Sequence, residues 1–288
     1  FLLVIDAGEG ARPQTHEHLA ILRLLGIEHG VVALTKSDVV DEEMLELARV
    51  EAEELVPGVA VVATSARTGA GLEELRDALG EAAARVARPP ADGPARLHVD
   101  RSFTLRGIGT VATGTLWSGT VGEGDELRVE PRGRDVRVRS VQVHDQPVER
   151  ADAGQRVAVS LPGVERQELR RGDVLVTPGA FRPSFRVDVT LEPLGEIPAR
   201  VRLHHGTAET AARVARVGDR FAQLRLSRPV VAATGDRVVL RTATTVGGGV
   251  VLDPAPPRHA DAARFEALER GETFVHAPVR VEGEWRWS

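Results

Sequence analysis

The chain of 288 residues has no cysteine and no tyrosine, one methionine (Met44) and only 3% aromatic residues. Without cysteine there is no disulfide framework and no thiolate metal site, so a reducing cytoplasm is permitted. No apolar run approaches the roughly 20 residues of a membrane-spanning helix. The opening Phe1-Leu2-Leu3-Val4-Ile5 is too short for the apolar region of a signal peptide, and no basic segment precedes it. Lysine is nearly absent: Lys36 is the only one, so 36 of the 37 basic residues are arginine. A bias this strong leaves lysine where a planar guanidinium does not fit, which marks Lys36 as a candidate functional residue. The chain also starts on Phe1 inside an apolar run rather than on Met, so it is expected to be an internal piece of a longer protein.

What is present falls into three parts. Residues 1–87 alternate short apolar runs with amphipathic ones. Strands are expected at Leu2 to Asp6, Val31 to Leu34 and Val59 to Ala63, and helices at Gln14 to Leu25, Asp41 to Leu55 and Leu72 to Val86. That rhythm predicts a doubly wound parallel α/β sheet, partial because it has only three strands, with an unpaired apolar edge on the Leu2 or the Val31 strand. Residues 88–94, rich in proline, read as a linker. From Ala95 helical periodicity gives way to short β-rich runs between glycine turns. Six of them (Arg96 to Val99, Gly109 to Trp117, Glu126 to Glu130, Val136 to His144, Arg156 to Leu161 and Asp173 to Val176) suit a small β-barrel over 95–178. A further series from Arg186 to Leu252 predicts a second barrel over 179–257. The tail, 258–288, opens a helix at Ala260 to Glu269. Charge is uneven: residues 1–87 carry a net −9, the first barrel +1 and residues 179–254 +4, so the barrels are the parts a polyanion would favour.

Thr35-Lys36-Ser37-Asp38 directly follows a strand. This is the form of the [Asn/Thr]-Lys-x-Asp box with which GTPases read guanine, where a carboxylate accepts from N1–H and the exocyclic amine together. Thr64-Ser65-Ala66 follows the next strand, where the backbone N–H of Ala66 would donate to guanine O6, ligands of such sheets lying at the strand C-termini. Helix N-capping is the other reading of Ser65. Thr35, Lys36, Asp38, Ser65 and Ala66 are therefore the candidate guanine-binding residues. No Gly-x-x-x-x-Gly-Lys-[Ser/Thr] occurs anywhere, so nothing in the chain cradles the β- and γ-phosphates or supplies a Mg²⁺ hydroxyl ligand, and no GTP hydrolysis is expected of it. The glycines at 107–114 and 247–249 lie in β context and are expected to serve turns and bulges. The scattered histidines suggest no metal site, and no catalytic residue is assigned.

Asp6 to His18, then Leu25-Gly26-Ile27 and the Thr35–Asp38 box, resemble the second half of the elongation factor Tu-like GTPase domain. Phe103 to Thr115 resembles the opening hairpin of that superfamily's second domain. Leu116 to Val121, Arg202 to Glu209 and Gly247 to Pro254 are similar to the selenocysteine-specific elongation factors, the SelB family, and the resemblance fades after about Arg258. It implies a cytoplasmic GTPase that binds GTP/GDP with Mg²⁺ and carries selenocysteinyl-tRNA to the ribosome at recoded UGA codons. Further C-terminal winged-helix modules, of which 258–288 would be the truncated start, would bind an mRNA selenocysteine-insertion hairpin. It also implies a selenocysteine pocket on the first barrel. Asp100 and Arg101 match an Asp-Arg pair just before the Phe-Thr hairpin, and Arg156 matches an Arg after Ala-Gly-Gln. A surface ion-pair network is the plainer reading of that trio. The alternatives left open are a non-enzymatic tRNA-binding barrel module and a general aminoacyl-tRNA carrier.

Overall fold

The structure, a computed structural model, describes residues 1–87, 91–259 and 261–272, and the backbone of 278–281 and 284–287. The chain divides into two compact units, Phe1–Ala87 and Arg88–Ser288.

The first unit runs β1 (Leu2–Asp6), α1 (Pro13–Leu24), β2 (Val31–Thr35), α2 (Glu42–Leu55), β3 (Ala60–Ala63) and α3 (Leu72–Ala84). Both strand pairs are parallel, in the order β1-β2-β3. The Val31 strand is thus the centre and not an edge; β1 and β3 are the edges, and on β1 Leu2 and Val4 are exposed. Burial of four successive residues, Val31 to Leu34, explains why β2 reads as an unbroken apolar run. The helices start where local chemistry supplies partners for free amides. Pro13 opens α1, with Arg12 N–H donating to the Thr15 hydroxyl at 3.2 Å. Asp41 caps α2 through a 2.9 Å bond from the Met44 amide, with Glu42 and Glu43 in the first turn. Gly71, at φ +72°, leads into α3, and a Cβ there would strike the Ala63 carbonyl. Because the sheet is parallel, Asp6, Thr35 and Ala63 bring their strand ends to one edge.

In the second unit the first sheet comprises β4 (Arg96–Leu105), β5 (Gly109–Ser118), β7 (Glu126–Glu130), β8 (Arg134–Arg137), β9 (Ser140–Val143), β10 (Gln146–Val148), β12 (Arg156–Leu161) and β13 (Val174–Val176). Its order is β10-β9-β12-β5-β4-β13-β7-β8, with a separate ladder between β6 (Thr120–Gly122) and β11 (Arg150–Asp152). Alternate residues turn inward to one core that includes Leu97, Leu116, Val129, Val157 and Leu175. The run Val136 to His144 is two strands: Val138 N–H donates to Asp125 and Arg139 N–H to Ser160, which takes both residues out of the ladder. β4 continues to Leu105, beyond the apolar run, as one arm of an exposed hairpin with β5.

The second sheet holds β14 (Ser184–Thr190), β15 (Glu192–Pro193), β16 (Arg200–His205), β17 (Ala208–Val217), β18 (Phe221–Val230), β19 (Arg237–Arg241) and β20 (Thr245–Asp253). It closes as β14-β18-β17-β16-β19-β20 and back to β14. Gly249 makes that closure possible, since a Cβ would collide with the Thr190 carbonyl. Fully buried Phe265 of α4 (Ala262–Glu269) stacks on Phe221 at 5.3 Å. Arg264 of the same helix binds Asp188 at 2.7 Å and Asp253. The tail continues as an antiparallel hairpin of β21 (Pro278–Val281) and β22 (Glu284–Trp287). Residues 88–90 of the expected linker, and 260, 273–277, 282–283 and 288 of the tail, lie outside the described residues. Among the described residues no helix is long and apolar enough to cross a membrane.

Candidate functional site

At the C-terminal edge of the α/β sheet, Lys36 leaves β2 in the left-handed region, φ 58°, and opens the 3₁₀ turn Ser37–Val39. That turn carries Asp38 toward the loop after β3. One Asp38 oxygen accepts from the Ser65 hydroxyl, and the other from Arg67 Nε at 2.6 Å. These two bonds, in that order, hold the Asp38 carboxyl below the usual carboxylate range, so it is anionic at neutral pH. Ser65 itself is fixed: its hydroxyl also accepts from Thr68 N–H at 3.2 Å, and its amide donates to Ala70 at 3.0 Å. A Ser37 N–H to Thr64 bond of 3.1 Å ties the two loops together.

The Lys36 ammonium lies 2.6 Å from Asp6 at the end of β1. Their hydrogen bond pushes the lysine up and the aspartate down. The Thr35 hydroxyl turns away, donating to the Ile5 carbonyl at 3.2 Å. Among the described residues the Ala66 N–H has no protein acceptor. This edge therefore sets a carboxylate with two acceptor oxygens beside a free amide donor. All five residues expected from the sequence meet here. Asp6 and Arg67 were not expected; the register Asp6↔Thr35 is the signal that could have found Asp6.

On the first barrel Arg156, at the start of β12, grips Asp100 of β4 with both terminal nitrogens, the second at 3.1 Å. Thr113 of β5 donates to the same carboxylate at 2.8 Å. Burial raises the Asp100 carboxyl, but the hydrogen bonds from Arg156 and Thr113 outweigh it, and it stays below its ordinary value. Arg101 makes no hydrogen bond within that cluster, although its charge adds to the lowering of the Asp100 carboxyl. A register shift between Val99 and Arg101 lets β4 place adjacent residues differently, and Arg101 is exposed with no ion-pair partner among the described residues. Asp100 and Arg101 instead line a cavity of about 810 Å³ with Phe103, Arg166, Arg170 and Arg171. Its rim is thus rich in guanidinium groups, all but Arg101 supplied by the 165–171 segment that the sequence did not single out.

A parallel α/β half with a guanine-type edge, followed by two β-barrels, defines the class: an elongation factor Tu-like translation factor. The family model described as "Elongation factor Tu GTP binding domain" matches residues 1–85. "Elongation factor Tu domain 2" matches 109–176, and "Selenocysteine-specific elongation factor, beta-barrel domain" matches 186–258. The chain is 41% identical to the selenocysteine-specific elongation factor of Desulfomicrobium baculatum, over 98% of this chain and 49% of that protein. Against that of Escherichia coli (strain K12) the identity is 36%, over 89% and 43%. The crystal structure of bacterial selenocysteine-specific elongation factor EF-Sec superposes with a TM-score of 0.86 at 31% identity, over 93% of this chain and 48% of that one. The chain belongs to the selenocysteine-specific elongation factor family, whose members are translational GTPases, and it spans about half the length of these curated relatives.

Proposed function

We propose that the chain serves selenocysteine incorporation: delivery of selenocysteinyl-tRNA to the ribosome at recoded UGA codons, in the cytoplasm, with GTP bound and hydrolysed by the whole protein. Further C-terminal modules would engage the mRNA hairpin. The Asp38 carboxylate would take guanine N1–H and the exocyclic amine, the Ala66 N–H would face O6, and the Lys36 stem would lie along the base. Arg67 must leave Asp38, or share it, when the base arrives. The residues present fit the guanine end of GTP and GDP. They do not fit its phosphates or Mg²⁺, since the one lysine would lie at the base, so no hydrolysis is expected from this chain alone.

The observation that carries the selenocysteine reading is Arg101, a cation in no ion pair among the described residues, which stands beside the Asp100–Arg156 pair at the wall of a cavity that Glu165 also lines. A selenol is ionised at neutral pH and a serine hydroxyl is not, so an uncommitted guanidinium separates the two by charge. Asp100, held anionic, either keeps Arg156 in place or receives the aminoacyl ammonium. The test joins this chain in frame to a P-loop half, loads GTP, and compares ester protection of selenocysteinyl-tRNA and seryl-tRNA made on the same tRNA. Protection favouring selenocysteine about tenfold or more, and lost in Arg101→Ala and Arg156→Ala, is expected; tenfold corresponds to about 1.4 kcal/mol. Equal protection of both esters would retire the selenocysteine reading in favour of a general carrier.

A further inference from the structure

The second barrel carries a motif, Arg202 to Glu209, to which the cavity reading gives no role. It forms the hairpin of β16 and β17, whose last paired residues are His205 and Ala208, so Gly206 and Thr207 make the turn. That turn lies against the first barrel at two places. Gly206, at φ +54°, sets its backbone on the imidazole of His98 in β4, where a Cβ would strike Nδ1. His98 has nowhere to retreat: it is 1% exposed, with the ring centre of Trp117 at 4.2 Å and that of His205 at 5.4 Å. His205 is itself held 2.8 Å from Asp236. Gly172, at φ +94°, makes the second contact, since a Cβ there would come within 3.2 Å of Ala208 Cα. Polar satisfaction does not explain this packing. Both His98 ring nitrogens and the Thr207 hydroxyl are buried without a partner among the described residues. Burial, then the charges of His205 and Arg96, keeps His98 neutral, and an unbonded N–H in a core costs stability. A buried polar group kept at such a cost calls for a role.

Both contacts lead directly to the cavity. His98 stands two residues before Asp100, and between them β4 has its bulge: Val99 pairs with Gly114 and Arg101 with Thr113, which leaves Asp100 unpaired. A bulge aims a side chain at a point where the ladder is interrupted. Gly172 directly follows Arg170 and Arg171, which line the cavity together with Asp100 and Arg101. Val99 joins the two routes: its N–H donates to the Asp173 carbonyl at 3.0 Å, and its carbonyl accepts from the Gly172 N–H at 3.1 Å. Turn, His98, Val99 and Gly172 thus form one packed series, and close-packed interiors transmit a displacement. We propose that the Gly206-Thr207 turn of the second barrel positions the selenocysteine cavity of the first. His98 and Gly206 are its positioning residues, setting where Asp100 and Arg101 stand relative to Arg170 and Arg171 without touching the aminoacyl group. The proposal rests on the cavity reading given above, and extends it by placing part of the selectivity in the other barrel.

The test uses the chain joined in frame to a P-loop half and loaded with GTP, and reads ester protection of selenocysteinyl-tRNA and seryl-tRNA made on the same tRNA. Gly206→Ala drives a methyl into the His98 ring, and His98→Ala removes that ring. Each is expected to lower the preference for selenocysteine about tenfold, the scale of a small misplacement in a site. Protection of seryl-tRNA needs the folded, GTP-loaded protein but not the cavity cations, so it should stay within about twofold of the parent. Because both changes act through one contact, the double variant should lose about tenfold and not about a hundredfold. If Gly206→Ala does not fold, His98→Ala and Gly172→Ala carry the same measurement. Equal loss of both esters, with the preference intact, would make the turn purely structural and overturn the proposal. Losses that multiply in the double variant overturn it too, since His98 and Gly206 would then act separately. A parent that prefers selenocysteine, loses the preference in Arg101→Ala and keeps it in both turn variants retires this proposal alone. A parent with no preference retires the cavity reading, and this proposal with it.

Discussion

The barrels contain the same residue pair in two settings. Arg96 and Asp236 form a bidentate pair at 2.5 and 2.7 Å with side chains 6% and 8% exposed. Arg156 and Asp100 form another with side chains 53% and 18% exposed. The buried pair has further partners on both members, although the Arg96 Nε has none. Asp236 also accepts from the Ala233 amide at 2.7 Å and lies 2.8 Å from His205 Nε2. The Arg96 guanidinium lies between the Trp117 and Phe181 rings, 5.3 Å from each. Burial would raise the Asp236 carboxyl, but hydrogen bonds from His205 and Arg96 drive it far below its ordinary value. The open pair has one further partner, Thr113, and its arginine faces solvent. Identical chemistry therefore gives a structural joint between the barrels in one place and an open, solvated pair in the other, which is the pair proposed above for recognition, and the difference is water.

The largest expected effect is on the joint. Asp236→Ala leaves a buried guanidinium with no counter-ion, which costs about 3–5 kcal/mol. Denaturant unfolding followed by tryptophan fluorescence measures it, because Trp117 packs against the joint. A loss under about 1 kcal/mol would mean that the joint hydrates freely, and the contrast with Arg156–Asp100 would collapse. The double change Arg96→Met with Asp236→Leu sharpens the point. Removing both charges should recover most of the loss, since the desolvation cost goes with the attraction.

Why one half of this molecule was more legible than the other follows from the length of its elements. In the α/β unit each strand is an apolar run and each helix spans three turns or more, so observed bounds fall within two residues of those expected. In the barrels β6, β10 and β11 are three residues each, too short for any period to show. The glycines at 247–249 were expected to serve turns and bulges; they lie inside β20, where the ladder with β19 shifts register at Gly247 and the absence of a Cβ on Gly249 lets β14 approach. The guanine residues were legible because they sit together in two short motifs. Their partners were not, because Asp6 meets Lys36 only through the parallel register and Arg67 meets Asp38 across 29 positions.

A third arginine–aspartate contact lies between the two extremes. Asp188 is fully buried against Arg264, but Arg264 also serves Asp253. Burial dominates and pushes the Asp188 carboxyl up to about 6, with Asp253 adding to it and Gln223 and Arg264 opposing. The folded value lies above the unfolded one, so the protein holds this proton more tightly when folded. The stability it contributes is complete below about pH 4 and is lost as pH rises through about 6. Across that window Asp188→Asn should gain on the parent by about 2 kcal/mol, read from denaturant midpoints at pH 4 and pH 7. A constant difference at both pH values would show that Arg264 compensates Asp188 fully, moving this contact into the class of the Arg96–Asp236 joint.

The smallest expected effect falls on the open pair. Arg156→Ala removes an exposed guanidinium whose attraction to Asp100 is screened by water and opposed by the entropy of holding a long side chain. The cost to folding should be about 0–1 kcal/mol. Asp100 keeps its Thr113 hydrogen bond and enough solvent to remain ionised, so no buried charge is stranded. The value of this number lies in what it permits: a variant that folds like the parent while losing selenocysteinyl ester protection locates the loss in the pocket. A cost near that of Asp236→Ala would place Arg156 among the residues that hold the barrel together, and the burial difference between the two pairs would no longer predict their roles.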